Sequence, residues 1–451
     1  MVHNRANQAR FFFVRGHLPI NGLYHANLLV CKERSMDKNT ILDQLTGAIP
    51  SFFKRPQVQN ELINVGVGIP FGVERVSNAE VGIGGAYGTW GDSYDNQTLP
   101  ELVAYRMGNP LSDDDKMNLS ALGFLSRHHI KDLSNEEHLA LELEVGSRLL
   151  REAALANGWE PEDVQAVLIG MSGPIAVDYV ERICEMAGIP ESALKVSVHK
   201  ACDGSVGGLN LALNPGLGKP GQINIAEELY GKKVLVGGIE GLSRFISKAH
   251  DKNALQLFGN GAGVIGVIPG ETMKFLVGKS HEAFDDEGVL AVHMYYPHSR
   301  QSLLEISQEG HSHIRVAGLM HEPSNGQAIE MAGPMGMVKL FVRTGVQVVS
   351  DVYQAYQGLM DKMGMPDKSI AVAIVHHANY KINKLKEKHL AKLGISFPMP
   401  WLVSDFGNVS AASNMIAFLR QLPSLKPGDH VLFDGFGAGT YYDVLAVSLG
   451  S

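Results

Sequence analysis

Six short apolar runs punctuate the chain, each ending in glycine or a small polar residue: "VQAVLIGMSG", "KVSVHKAC", "KKVLVGGIEG", "AGVIGVIPG", "SIAVAIVHHAN" and "HVLFDGFGAG". Runs of this length, rich in β-branched residues and bounded by turn formers, predict buried strands. Between them, Glu136–Asn157 and Gly345–Met363 carry apolar residues at helical spacing. Strands alternating with helices predict an α/β protein with a mainly parallel sheet.

The pattern also echoes itself. "FGNGAGVIGV" resembles "DGFGAGTYYDVLAV", and "KACDGSVGGLNLAL" resembles "DFGNVSAASNMIAFL", a strand end followed by a helix of small residues. The echoes lie too far apart for a solenoid repeat. They predict two similar halves, 79–272 and 273–451, with Cys202 mirrored by Asn408. Residues 1–78 fall outside the scheme. With the strand-like "RFFFVRG" and "HANLLVC" and an amphipathic pattern through Ile41, Leu42, Leu45 and Ile49, they read as an ordered extension of unassigned role.

Charge and composition narrow the function classes. The net charge of −8 gives no basic field for nucleic acid or anionic lipid. Three cysteines without CxxC spacing argue against a disulfide framework or a zinc site and for a reducing compartment. No apolar run reaches membrane-spanning length, so the expectation is a cytoplasmic protein.

Chemistry concentrates at strand ends. Cys202 opens a small-residue helix, where backbone amides favour a thiolate, although an inert buried thiol fits the same position. His376 and His377 end another strand, where a histidine can exchange a proton or merely bond the backbone. Asn379 follows and can fix the loop. Asn408 precedes the second small-residue helix, a position that also suits a plain N-cap. "GFGAG" can aim amides at an oxyanion, but it lacks the spacing and the acidic partner of a dinucleotide fingerprint.

Taken in order, Cys202, "HHAN", "GNVSAAS" and "GFGAG" resemble the ketoacyl-ACP synthase III branch of the thiolase-fold condensing enzymes, from about Glu80 to the C-terminus. "EVGIGGAYGTWGDSYDNQTLPEL", "LGFLSRHHI" and "MAGPMGMVKLFV" extend the likeness. The resemblance implies a duplicated αβαβα sandwich, here with an N-terminal extension, and a homodimer. It implies that Cys202 takes an acyl group from a thioester. His376 and Asn408 would hold the carbonyl of a malonyl-type extender during decarboxylation, and the amides of Cys202 and Ala438 would form an oxyanion hole. Substrates would be acyl-CoA or acyl-carrier-protein thioesters, with no cofactor and no metal.

Several positions depart from the family pattern. Its adenine-sandwiching Trp and Arg are replaced by Met117 and Ala121, which favours a carrier-protein donor or another CoA pose. Asp203 stands beside the nucleophile, where an anion would oppose thiolate formation. Lys381, Lys384, Lys386, Lys388 and Lys392 offer a docking patch for an acidic carrier or phosphate, or simply a solvated helix face. Asn379, Lys381, Lys384 and Phe406 are the candidate substrate- or carrier-binding residues. A scatter of histidines (His293, His298, His311, His313, His321) has no cysteine or carboxylate to complete a metal site. The functional expectation is decarboxylative Claisen condensation in a specialised fatty-acid or secondary-metabolite pathway. The alternatives are acyl transfer to an alcohol or amine without decarboxylation, with His376 as base, and a non-catalytic ketosynthase partner.

Overall fold

The computed structural model describes residues 59–63, 68–130, 133–172, 175–176, 178–218, 223–246, 252–282, 305–309, 313–317, 338–437 and 441–450. The sequence patterns read in residues 1–58 lie outside them.

All six apolar runs form strands. Fifteen strands are described: β1 (Gln59–Ile63), β2 (Ile69–Asn78), β3 (Ile83–Trp90), β4 (Asp92–Asp95), β5 (Ser126–His129), β6 (Ala166–Gly170), β7 (Leu194–His199), β8 (Val234–Glu240), β9 (Gly261–Val267), β10 (Met273–Glu282), β11 (Glu305–Glu309), β12 (His313–Ala317), β13 (Ile370–Val375), β14 (His430–Gly437) and β15 (Tyr441–Leu449). The larger sheet runs β1-β2-β3-β9-β8-β6-β7-β12-β11 and the smaller β10-β15-β14-β13, while β4 and β5 form a ribbon. Residues 69–78, grouped by sequence with the extension, thus form a strand of the larger sheet, paired to β3.

The expectation of a mainly parallel sheet needs correction. Among the described strands, parallel pairing is confined to β6 with β7 and β8, β7 with β12, and β13 with β14. The flanking strands pair antiparallel, and direct returns such as β14 into β15 need no crossover helix.

Five helices build the layers: α1 (Asn135–Ala156), α2 (Gly204–Leu213), α3 (Gly345–Lys362), α4 (Tyr380–Lys392) and α5 (Ser413–Gln421). A full capping box starts α1, with Ser134 accepting from Glu137 N–H and the Glu137 carboxylate accepting from Ser134 N–H. Its apolar face lies against β2, β3, β8 and β9. Helix α3 covers β10 and β15. Between the sheets lie α2, which touches β6, β7 and β8 on one side and β10, β14 and β15 on the other, and α5. The result is helix, sheet, helix, sheet, helix.

The central position of α2 explains its composition. All ten of its residues are buried. A Cβ on Gly204 would stand 2.8 Å from the Cα of Gly170, closer than backbone contacts allow. Val206 and Leu209 fill the remaining space, each worth roughly 2 kcal/mol of burial. Small residues let the helix approach one sheet while its few large ones anchor it.

Candidate active site

The turn from β7 into α2 carries Cys202. Ala201 has φ +48°, and Ser410, in the matching turn before α5, has φ +44°. These are the only non-glycine residues with positive φ among those described. A left-handed alanine or serine costs of order 1–2 kcal/mol and persists only where packing enforces it. Both turns continue as a short 3₁₀ segment, Ala201–Asp203 and Ser410–Ala412, before the helix proper. The echo seen in the sequence is therefore a repeated turn, but its register differs from the one expected. Ser410 matches Ala201, so Ala411 and not Asn408 stands opposite Cys202.

Ser410 does more than repeat the turn. Its hydroxyl donates to Cys202 Sγ at 3.1 Å, and its N–H donates to Asn408 Oδ1 at 2.9 Å. Three residues on, Ser413 Oγ lies 2.6 Å from His376 Nδ1. One segment, 408–413, thus ties Cys202, Asn408 and His376 together. Cys202 is half-buried, whereas His376 and Asn408 are buried. The contrast with Cys184 is useful: burial in the α1 side of the core pushes that thiol up to about 12, as expected of an inert cysteine.

His376 follows β13, and its N–H donates to Asp434 O at 2.9 Å. Burial, followed by the nearby His377 and Lys386, pulls its pKa down to about 3. The ring is neutral at physiological pH. The Nδ1···Ser413 Oγ contact fits either tautomer, and the one in which Ser413 donates leaves the ring proton on Nε2. Phe436 meets the ring edge to face at 5.0 Å. His377 is engaged elsewhere, accepting from Leu402 N–H at 3.0 Å and packing on Trp401.

Behind Cys202 lies a second polar chain. Ser410 Oγ is 2.5 Å from Ser172 Oγ, and Ser172 Oγ donates to Glu240 Oε1 at 2.8 Å. The same oxygen accepts from Ser172 N–H at 2.9 Å and Ala411 N–H at 3.1 Å. Burial outweighs these donors and raises Glu240 to about 7.

Asp203 is fully buried, and as a carboxylate neither of its oxygens finds a donor. Burial, then the adjacent Asp443, raises its pKa well above the usual carboxylate range. Asp443 is the partner that stays ionised, paired with Lys200 and accepting from Asn210 Nδ2 at 2.7 Å. A protonated Asp203 can donate to Asp443, which satisfies both groups. The anion expected beside the nucleophile is disfavoured, because burial and then Asp443 push Asp203 toward its neutral form.

The remaining expected residues take varied positions. Asn379 caps α4, its side chain accepting from Lys381 N–H at 2.9 Å. Lys381 and Lys384 are exposed, and Lys384 pairs with Glu387 at 2.7 Å. Lys386 must be removed from the docking patch. It is buried in an ion pair with Asp434, over the Phe436 ring at 4.7 Å, because its place on α4 faces the sheet. Phe406 is buried between Tyr87 and the Arg420 guanidinium. Ala438 lies outside the described residues, as do His293, His298, His311 and His321. Among the described residues, no three His, Cys, Asp or Glu side chains group to hold a metal, and no helix is long and apolar enough to cross a membrane.

Met117 is held by its N–H, which donates to Gln256 Oε1 at 2.9 Å, and its side chain joins the cluster around Leu119 and Leu242. Near Ala121, the aromatic presence comes from Trp401, which donates to Gly123 O at 2.7 Å and meets Tyr380 at 5.5 Å. Sequence reasoning passed over Trp401, Ser172, Glu240, Ser410 and Ser413. For Glu240 a signal existed: a lone carboxylate ending the apolar run "VLVGGIE" must be buried and bonded.

Comparison with known proteins agrees with this architecture. The family described as 3-oxoacyl-[acyl-carrier-protein (ACP)] synthase III C terminal matches residues 360–449. The beta-ketoacyl-[acyl-carrier-protein] synthase III 1 of Halalkalibacterium halodurans is 26% identical over 345 residues, covering 75% of this chain and 91% of that protein. The corresponding Synechocystis protein shows the same identity and coverage. The crystal structure of the Aquifex aeolicus 3-oxoacyl-[acyl-carrier-protein] synthase III superposes with a TM-score of 0.54 at 17% identity, covering 86% of this chain and 99% of that one. By fold, by its matched C-terminal segment and by these relatives, the chain is a thiolase-fold enzyme similar to ketoacyl-ACP synthase III.

Proposed function

We propose that the chain catalyses decarboxylative Claisen condensation, with Cys202 as nucleophile and His376 and Asn408 as the carbonyl-binding pair. The observation that carries this reading is the 408–413 segment, which bonds Cys202 through Ser410 and His376 through Ser413. The Cys202 thiolate attacks an acyl thioester, and the carrier leaves as a thiolate that takes its proton from solvent. A malonyl thioester then enters. The Nε2–H of neutral His376 and the amide of Asn408 donate to its carbonyl as carbon dioxide leaves, stabilising the enolate. The enolate carbon attacks the acyl-cysteine and expels the Cys202 thiolate.

The state of His376 favours this over acyl transfer to an alcohol or amine. A histidine pulled down to about 3 is a poor proton acceptor at neutral pH but a good neutral hydrogen-bond donor. Donor thioesters carried by CoA or by an acyl carrier protein, a homodimeric assembly, and an amide of Ala438 in the oxyanion hole belong to the same proposal. The carrier would dock near exposed Lys381 and Lys384, with phosphate or acidic side chains as the complement. A role in a specialised pathway fits the altered positions Met117 and Ala121. The test supplies a carboxyl-labelled malonyl thioester with acyl donors. Labelled carbon dioxide formed together with a 3-oxoacyl product supports the reading, and product without it sinks it.

A further inference from the structure

The polar chain behind Cys202 has no part in the steps above, yet it ends in a buried carboxylate and begins on the reacting sulfur. We infer that Glu240, acting through Ser172 and Ser410, accepts the thiol proton of Cys202 when the thiolate forms. The inference rests on Cys202 being the nucleophile.

Three contiguous contacts carry it: Ser410 Oγ to Cys202 Sγ at 3.1 Å, Ser410 Oγ to Ser172 Oγ at 2.5 Å, and Ser172 Oγ to Glu240 Oε1 at 2.8 Å. Each hydroxyl can donate on one side while accepting on the other. In the thiol state the Ser410–Cys202 contact runs opposite to the one seen in the structure: S–H donates to Ser410, Ser410 to Ser172, and Ser172 to the carboxylate. As the thiolate forms, each proton moves one place along. The S–H bond breaks, an O–H bond forms on Glu240, and both serines end as neutral hydroxyls pointing the other way. Charge moves from Glu240 to sulfur, and no electrons are exchanged. Deacylation by the enolate returns the thiolate, and the reverse shift restores the thiol.

Geometry also isolates the chain. All three oxygen-bearing residues are buried. The backbone amides of Ser172 and Ala411 fix the carboxylate, so it is already aligned when the proton arrives. His376 is a poor competing acceptor, since its Nδ1 is engaged with Ser413 Oγ and burial pulls the ring down to about 3. Tyr179 senses Glu240, and beyond Tyr179 lies the buried Glu142–Arg244 pair, with Arg244 Nε donating to Glu142 Oε1 at 3.0 Å. Tyr179, held high by burial, does not change charge near neutral pH. An acceptor near 7 matches the working pH of such a transfer.

The test is the pH dependence of Cys202 alkylation by iodoacetamide, read by intact mass against a Cys202→Ala background. The native protein should show a rate inflection near 7. Glu240→Gln keeps the acceptor for both amides but cannot take a proton, so its inflection should rise toward the ordinary thiol value of about 8.5, slowing alkylation at pH 6.5 roughly tenfold or more. Ser410→Ala and Ser172→Ala cut the chain in the middle and should reproduce that profile, even if Glu240→Gln folds poorly. Profiles within twofold of native in the serine variants overturn the relay, as does an inflection that moves in His376→Ala instead. Because alkylation needs no acyl donor, failure of the relay leaves Cys202 reactive, whereas failure of the nucleophile reading leaves Cys202 unacylated by every thioester.

Discussion

Asp203→Asn tests the buried acid beside the nucleophile. The native side chain is held protonated by burial and by ionised Asp443, whereas in the unfolded chain it titrates near its ordinary 3.8. A raised folded pKa means that the native state keeps a proton the unfolded state releases above about pH 4. Stability therefore falls with rising pH by about 1.4 kcal/mol per unit until Asp203 itself ionises. Asparagine carries no such proton and still donates to Asp443, so this slope vanishes in the variant. Glu142, Glu240 and Asp434 also have raised values, but they are common to both proteins and cancel in the difference. Asp443, with its lowered value, does not titrate in this window. The assay is urea unfolding at pH 5, 6 and 7. Relative to native, Asp203→Asn should gain about 1.4 kcal/mol for each unit below the pH at which folded Asp203 ionises, and acyl loading of Cys202 should be unchanged over that range. Parallel stability profiles, or faster loading in the variant, would mean that Asp203 is a carboxylate in the folded protein and would refute the reasoning.

Three other perturbations probe the frame around the site. Lys386→Met strands a buried Asp434 carboxylate and should cost about 3–5 kcal/mol in denaturant unfolding, with Lys386→Met/Asp434→Asn recovering at least half; a cost below about 1 kcal/mol would contradict the buried pair. Gly437→Ala places a Cβ 2.5 Å from Lys200 O and 2.9 Å from Asp203 N, so it should destabilise by about 1–3 kcal/mol and slow acyl loading by displacing the Cys202 turn. Carbon dioxide release from a malonyl thioester by Cys202→Ala, which removes the loading step, should be flat between pH 5 and 8, since His376 sits at about 3. A step near 6.5 there would mean that the imidazole titrates as in water.

Much of the frame was legible in the sequence because it rests on local pattern. Apolar runs such as "AVLIG" and "VLVGGIE" have one stable fate, a buried strand, and the small-residue helix after Cys202 announces close packing on both sides. Strand direction was less legible. Whether β8 returns to β9 antiparallel depends on connections whose length alone does not choose a partner. The site divides in the same way. Cys202, His376 and Asn408 carry chemistry in their residue types, so their motif can be read. Ser172, Glu240 and Ser413 gain meaning only from contacts across 68 to 238 positions, or from a ring nitrogen 37 residues away. Lys386 shows the opposite error: a lysine among lysines reads as surface until helix phase turns it toward Asp434. Asp203 misled for a similar reason, since burial and then Asp443, far along the chain, raise its pKa.

The central claim, a condensing enzyme working through Cys202, is tested most directly by the intact mass of the protein after exposure to acyl-CoA and acyl-carrier-protein donors, followed by a labelled malonyl thioester. The account predicts a mass increase of one acyl group, absent in Cys202→Ala, that disappears on adding the malonyl thioester as labelled carbon dioxide and a 3-oxoacyl product form together. No acyl uptake from any donor, or discharge of the acyl group without carbon dioxide, would contradict it.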